Sequence, residues 1–170
     1  SLRYGLLGGA VVVFYFVLLY VAKKDLFLSP LLQWGSLAIY LFFMYQAARE
    51  DCAAHGTQRD FREISRTPFI VFLLINLCYW LFYYGVHLAD PELIRMEMAA
   101  EVTALKAQVS AGIGDPEQAN RFRERIQELE KTMTQPGAQP LGPIITRMCM
   151  GALGGFALAA GITALLRSKS

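Results

Sequence analysis

Charge is missing from four long stretches of this chain. The windows Gly5–Ala22, Pro30–Ala48, Pro68–Ala89 and Met148–Leu166 contain no Asp, Glu, Lys or Arg, so all sixteen basic and fourteen acidic residues lie elsewhere. That partition excludes a soluble globular domain, where charges make up about 25% of positions. It also excludes a disordered chain, since 55% of the residues are hydrophobic and such a composition buries surface rather than staying solvated. Cysteine is scarce as well. Cys52, Cys78 and Cys149 are too few and too scattered for a secreted disulfide framework, and with His55 and His87 they show no metal-ligand spacing. No phosphate-binding glycine loop, dinucleotide fingerprint, zinc-protease helix motif or Ser/His/Asp set is present. Catalytic residues, a cofactor and a metal are therefore not expected, nor is an enzyme. The basic residues are interleaved with acidic ones, so no nucleic-acid partner is expected either.

What is present is apolar length. A run of about 18 to 22 residues rises about 27 to 33 Å as a helix, matching a hydrocarbon core of roughly 30 Å. Lipid offers the backbone no hydrogen-bond partner, so each run must be helical. The expected fold is an all-α membrane protein with four transmembrane helices and the bilayer as its first partner. Polar punctuation marks the ends: Lys23, Lys24 and Asp25 stop the first run, Ser29-Pro30 opens the second, and Arg49, Glu50 and Asp51 close it. Thr67-Pro68 is expected to open the third, and Arg167 and Lys169 follow the fourth. Tyr4, Tyr20, Trp34, Tyr45, Tyr83 and Tyr84 fall near the interfaces, while Tyr79 and Trp80 lie deeper. No small-x-small cleavage site follows the first run, so it is expected to be retained as a helix.

Basic residues set the orientation. Arg3, the inner loop 49–67 with Arg49, Arg59, Arg62 and Arg66, and the tail with Arg167 and Lys169 outweigh Lys23 and Lys24 on the opposite side. The expectation is a multi-pass protein of a bacterial inner membrane with both termini cytoplasmic. Three parts follow: residues 1–89 with the first three spans, 90–140 outside, and 141–170 with the last span and its basic tail.

Residues 90–140 read as an extracytoplasmic amphipathic helical hairpin. Asp90-Pro91-Glu92 and Asp115-Pro116-Glu117 are matched helix starts. Met98, Val102, Leu105 and Val109, then Phe122, Ile126, Leu129 and Met133, recur at spacings of 4, 3 and 4, which argues for two arms with a coiled-coil-like seam. Gly112-Ile113-Gly114 separates them, and Pro136 to Pro143 reads as an extended linker. On the inner side, 57–67 is expected to make a turn or two of helix on the headgroups.

Gly151, Gly155, Ala159 and Thr163 form a small-residue stripe on the fourth span, and Gly5 and Gly9 form another on the first. Such stripes let helix backbones approach closely. Counted from the ends of their runs the two sit at different depths, so each is expected to receive a different helix, within the bundle or from a second protomer. Asn76 stands near the middle of the third span, where an amide needs a partner: another helix, or a substrate or ion. His87 reads as an interface or capping residue, the alternative being a proton switch.

Tyr4-Gly5 opening the first span, the basic loop after the second, Asp90-Pro91-Glu92-Leu93 after the third, the amphipathic helices and the Gly-bearing final span occur here in that order. In that combination the chain resembles a bacterial family of small inner-membrane proteins known as domain of unknown function 4199. The resemblance covers nearly the whole chain and implies a four-span membrane protein, with no catalytic residues to carry over. The inner loop departs from the family in being rich in Arg and Ala rather than Lys. The expected role is that of a structural, assembly or accessory subunit acting through helix association, as a homo-oligomer or within a larger membrane complex. The alternative is a small oligomeric lipid or polyprenyl-lipid flippase or carrier component, its path lined by Asn76, Tyr79, Trp80 and Tyr83.

Overall fold

The computed structural model describes residues 1–56, 59–112, 115–134 and 141–168, with the backbone alone for 141–147. All regular structure among them is helical. In chain order the helices are α1 (Leu2–Ala22), α2 (Lys24–Leu28), α3 (Pro30–Gly35), α4 (Leu37–His55), α5 (Phe61–Ala89), α6 (Pro91–Ser110), α7 (Pro116–Thr134) and α8 (Leu141–Ser168). They form two compact units, one of Ser1–Tyr84 with Pro140–Ser170 and one of Gly85–Gln139.

In the first unit α1, α5 and the Met148–Ser168 part of α8 are long and apolar enough to cross a membrane. Many of their large side chains face outward: Leu2, Leu6, Phe14 and Leu18 of α1, Leu77 and Leu81 of α5, and Met150 and Leu153 of α8 are exposed. Gly5, Gly8 and Gly9 of α1 are buried instead, as are Ser65, Asn76 and Thr163. Glycine and polar groups inside, beside Phe16, Met44 and Ile75, with leucine outside depart from the water-soluble pattern and suit a bundle whose solvent is hydrocarbon.

The second apolar run differs from the expected single span. It is interrupted at Ser36, between α3 and α4. Ser36 keeps helical dihedrals (φ −62°, ψ −24°), but its N–H reaches Gln33 O at 3.2 Å and its Oγ donates to the same carbonyl at 2.7 Å. The local ladder therefore closes three residues back instead of four. Gly35, a weak helix former, adjoins the interruption.

Three other boundaries move. Pro68 lies inside α5, which begins at Phe61, so the polar turn expected on the headgroups is continuous with the third apolar helix. Tertiary contact explains why the proline does not break it: Ile64 and Ser65 are buried, and Ser65 hydrogen-bonds α8. The turn after α1 folds as α2, whose Phe27 is buried among the rings of Phe16, Tyr20 and Tyr83. Finally, α8 starts at Leu141 and takes in the end of the expected linker. A proline at its third position is tolerated because that N–H has no intrahelical acceptor. Residues 136–140 of that linker, with 57–58, 113–114 and 169–170, lie outside the described residues.

In the second unit α6 and α7 pack together. Val102, Ile126 and Leu129 are buried between them, with Met98, Leu105 and Met133 packed around. Polar groups bridge the seam: Lys106 Nζ to Glu130 Oε1 at 2.7 Å and Arg125 Nε to Glu101 Oε1 at 3.3 Å. Arg125 also bonds Glu128, and that hydrogen bond, more than the charge of Glu101, holds its guanidinium above its usual range. The Asp115 carboxylate caps α7 by accepting the Gln118 N–H at 2.8 Å.

Candidate functional site: a polar pocket among apolar helices

The two glycine motifs meet one helix. A Cβ at Gly5 would stand 2.7 Å from Leu74 Cβ, and one at Gly9 would stand 2.8 Å from Cys78 Cβ, so α1 touches α5 along this face. Gly8, between them, faces Ile75. Gly155 of α8 lies against the Phe72 ring, and Gly151 lies beside the Asn76 amide. The contacts ascend together on α1 and α5 and in opposite order on α8 and α5. α1 therefore runs parallel to α5, and α8 runs antiparallel to it.

Different depths and different partner helices were expected for the two motifs; both fall instead within two turns of α5. Depth counted from the ends of the apolar runs misplaces them, because α5 extends beyond its run to Phe61. Gly155, Ala159 and Thr163 are buried inside the chain. A hydroxyl chain fixes this register: Ser65 Oγ donates to Thr163 Oγ1 at 3.1 Å, and Thr163 Oγ1 donates to Ala159 O at 2.8 Å.

Beside this seam lies a cavity of about 270 Å³. α3 contributes Gln33 and Trp34, the interruption Ser36, and α4 Leu37 and Tyr40. α5 contributes Phe72, Asn76, Tyr79 and Trp80, and α8 contributes Gly151. Aromatic contact shapes the wall, with Tyr40 and Phe72 centroids 5.3 Å apart and Tyr79 and Trp80 rings edge to face at 5.3 Å. Gly151 leaves room next to Asn76: a Cβ there would be 3.8 Å from the amide oxygen.

The Trp80 indole N–H donates to Asn76 Oδ1 at 3.1 Å, one helical turn away. An indole can only donate, so the amide oxygen faces it and the amide nitrogen is left for another partner. Asn76 is 8% exposed and Tyr40 7%. Among the described residues neither Asn76 Nδ2 nor the Tyr40 hydroxyl makes a hydrogen bond, and neither atom is fully enclosed. Both residues line the cavity.

Sequence reasoning singled out Asn76, with Tyr79 and Trp80, but Tyr83 is not among the cavity residues. It missed Ser36 and Tyr40. Their signal was present: Gln33, Ser36 and Tyr40 recur at spacings of 3 and 4, a polar edge on an apolar helix. In the second unit His87 is 1% exposed with its Nε2 3.3 Å from Glu97 Oε2. Cys52 is buried, Cys78 half-buried and Cys149 exposed, all as free thiols. No protein-family model, curated protein or solved structure matches this chain.

Proposed function

We propose that this chain is a multi-pass integral membrane protein that catalyses no reaction of its own and serves as an assembly or accessory subunit. In this reading the chain crosses the bilayer four times, α3 and α4 together forming the second crossing. Both termini lie in the cytoplasm of a bacterium, and α6 and α7 form an antiparallel hairpin outside. Kinship with the domain of unknown function 4199 family belongs to the same proposal. The observation that carries the reading is the α6–α7 pair, whose buried apolar seam and charged outer faces contrast with the lipid-suited helices of the other unit. With Gly155, Ala159 and Thr163 turned inward, the surface left for a partner or a second copy is this charged pair. Crosslinking in native membranes followed by native mass spectrometry in mild detergent tests it. A specific complex or homo-oligomer contacting α6–α7 is expected, and a lone monomer in both measurements overturns the reading.

A second reading, a small lipid or polyprenyl-lipid carrier component, is favoured by the cavity beside Asn76. Loss of lipid movement across reconstituted vesicles on Asn76→Leu, with the fold retained, supports it; unchanged movement opposes it.

A further inference from the structure

The cavity beside Asn76 sorts its ligands by three properties. It offers two donors that bond no described residue, Asn76 Nδ2 and the Tyr40 hydroxyl, each on a residue more than nine-tenths buried. Leaving such donors unmade in an apolar surrounding is costly, so a bound acceptor gains what the empty pocket lacks. Among the described residues that line the space there is no Asp, Glu, Lys, Arg or His, so none of them offers a counter-charge to a phosphate or carboxylate. A neutral oxygen is the acceptor that this lining suits.

The second property is depth. Asn76 lies fifteen residues from Phe61 and thirteen from Ala89 along α5, about 22 and 20 Å by helical rise. In a bilayer crossed by α5 that is mid-span, away from the level at which glycerol esters sit. The third is shape. Phe72, Trp80 and Tyr40 give the pocket aromatic walls suited to a flat ring. Its volume of about 270 Å³ is just under the ~300 Å³ at which ligand pockets begin. It takes a headgroup, leaving an apolar tail in the bilayer.

We propose that this cavity binds the ring of a lipid-soluble quinone, with Asn76 Nδ2 and the Tyr40 hydroxyl donating to a ring carbonyl. The proposal rests on the lipid-accessible cavity of the second reading above, not on transport through it, and gives that site its ligand class. The assembly reading does not depend on it, so failure here leaves the crosslinking test intact.

The chain carries its own reporter, since its two tryptophans are Trp34 and Trp80 and both line the cavity. Full-length protein in phosphatidylcholine nanodiscs is titrated with a short-chain benzoquinone while tryptophan emission is recorded. Saturable quenching is expected in the wild type. Asn76→Leu and Tyr40→Phe should each weaken binding about fivefold to tenfold, the loss of one hydrogen bond. Gly151→Leu, which fills the space next to the amide, should abolish saturation. Tyr40→Phe is the least disruptive of the three, and far-ultraviolet circular dichroism checks that each variant folds. Linear, collisional quenching identical in wild type and Gly151→Leu overturns the proposal. So does displacement of the quinone by diacylglycerol at equal concentration, which would assign the pocket to an ester carbonyl. If quenching saturates but lipid movement is unaffected by Asn76→Leu, the quinone site stands and the carrier reading falls.

Discussion

The Tyr15 hydroxyl donates to the Leu32 carbonyl oxygen at 2.9 Å, from α1 across to α3. In an unbroken helix that carbonyl would take the Ser36 N–H, which here goes to Gln33 O instead. Tyr15 thus caps an acceptor that the interruption at Ser36 sets free. Gly35 makes the approach possible, since a Cβ there would stand 3.2 Å from the Tyr15 hydroxyl oxygen. Tyr15→Phe is expected to destabilise the protein by about 1 kcal/mol, the net worth of a hydrogen bond to a part-buried carbonyl. Unfolding in mixed micelles by increasing SDS fraction measures it, and a variant as stable as the wild type would show that Leu32 O finds another donor.

The α1–α5 contact depends on missing side chains. At Gly9 the atoms in the way are Cys78 Cβ and Sγ, and at Gly5 they include Leu74 Cβ. These cannot rotate aside as the end of a long side chain can, so the helices must separate. Gly9→Ala is expected to cost about 1–3 kcal/mol, as overpacking does. Gly161, with nothing within 4 Å of an added Cβ, is the control, and Gly161→Ala should be neutral or slightly stabilising. Equal responses at the two positions in SDS unfolding would contradict the close approach of α1 to α5.

How far the sequence could be read shows in these same residues. Periodicity and the absence of charge located the apolar helices and the α6–α7 stripes because both signals depend on a helix and its solvent alone. Register did not follow, since the level at which Gly5 meets Leu74 is set by how two helices slide past one another. Ser36 and Tyr40 escaped for a related reason. Within an apolar run a serine reads as tolerated and a tyrosine as interfacial, and only the approach of Asn76 and Gly151 turns them into a pocket wall. Pro68 looked like a start signal because the tertiary anchor at Ser65 and Thr163 joins residues far apart in the chain.

That anchor makes its own prediction. Thr163→Val keeps the shape but removes both the acceptor for Ser65 Oγ and the donor to Ala159 O. Polar pairs between membrane helices average about 0.6 kcal/mol, with a maximum of about 1.7. Full burial of Thr163 at 0% exposure argues for the upper part of that range. A double-mutant cycle with Ser65→Ala isolates the pair, and a coupling near zero would mean that the hydroxyls serve their own helices only.

Cys52 sits past the apolar part of α4, and burial pushes its thiol up, with the charge of Asp51 adding and that of Arg59 opposing. A raised thiol stays protonated at neutral pH in both folded and unfolded chains, so it does not alter stability there. Stability is lost only as pH rises through the ordinary thiol range of about 8.5. Reactivity follows the same sign, because the thiolate is the nucleophile. A water-soluble maleimide should label Cys52 slowly at pH 7, faster above pH 9, and at the free-thiol rate once the protein is denatured. Fast labelling of Cys52 itself at pH 7, located by peptide mass mapping because Cys149 is an exposed free thiol, would contradict the burial.

The α6–α7 pair separates packing from charge. Leu129 is 5% exposed in the seam, and Leu129→Ala should cost about 2–4 kcal/mol locally, the transfer and cavity terms of a buried leucine. Glu130 reaches Lys106 from a position where both side chains are about half exposed, 47% and 59%. Solvent and salt screen that pair, so Glu130→Gln should cost under about 1 kcal/mol, and less still at high ionic strength. Hydrogen exchange on the full-length protein in detergent reads each effect at its own helices. Leu129→Ala should raise exchange through both α6 and α7 while α1 and α5 keep their protection, and Glu130→Gln should leave both helices close to wild type. A larger effect from Glu130→Gln than from Leu129→Ala would mean that the pair is held by its charges and that Val102, Ile126 and Leu129 do not form its core.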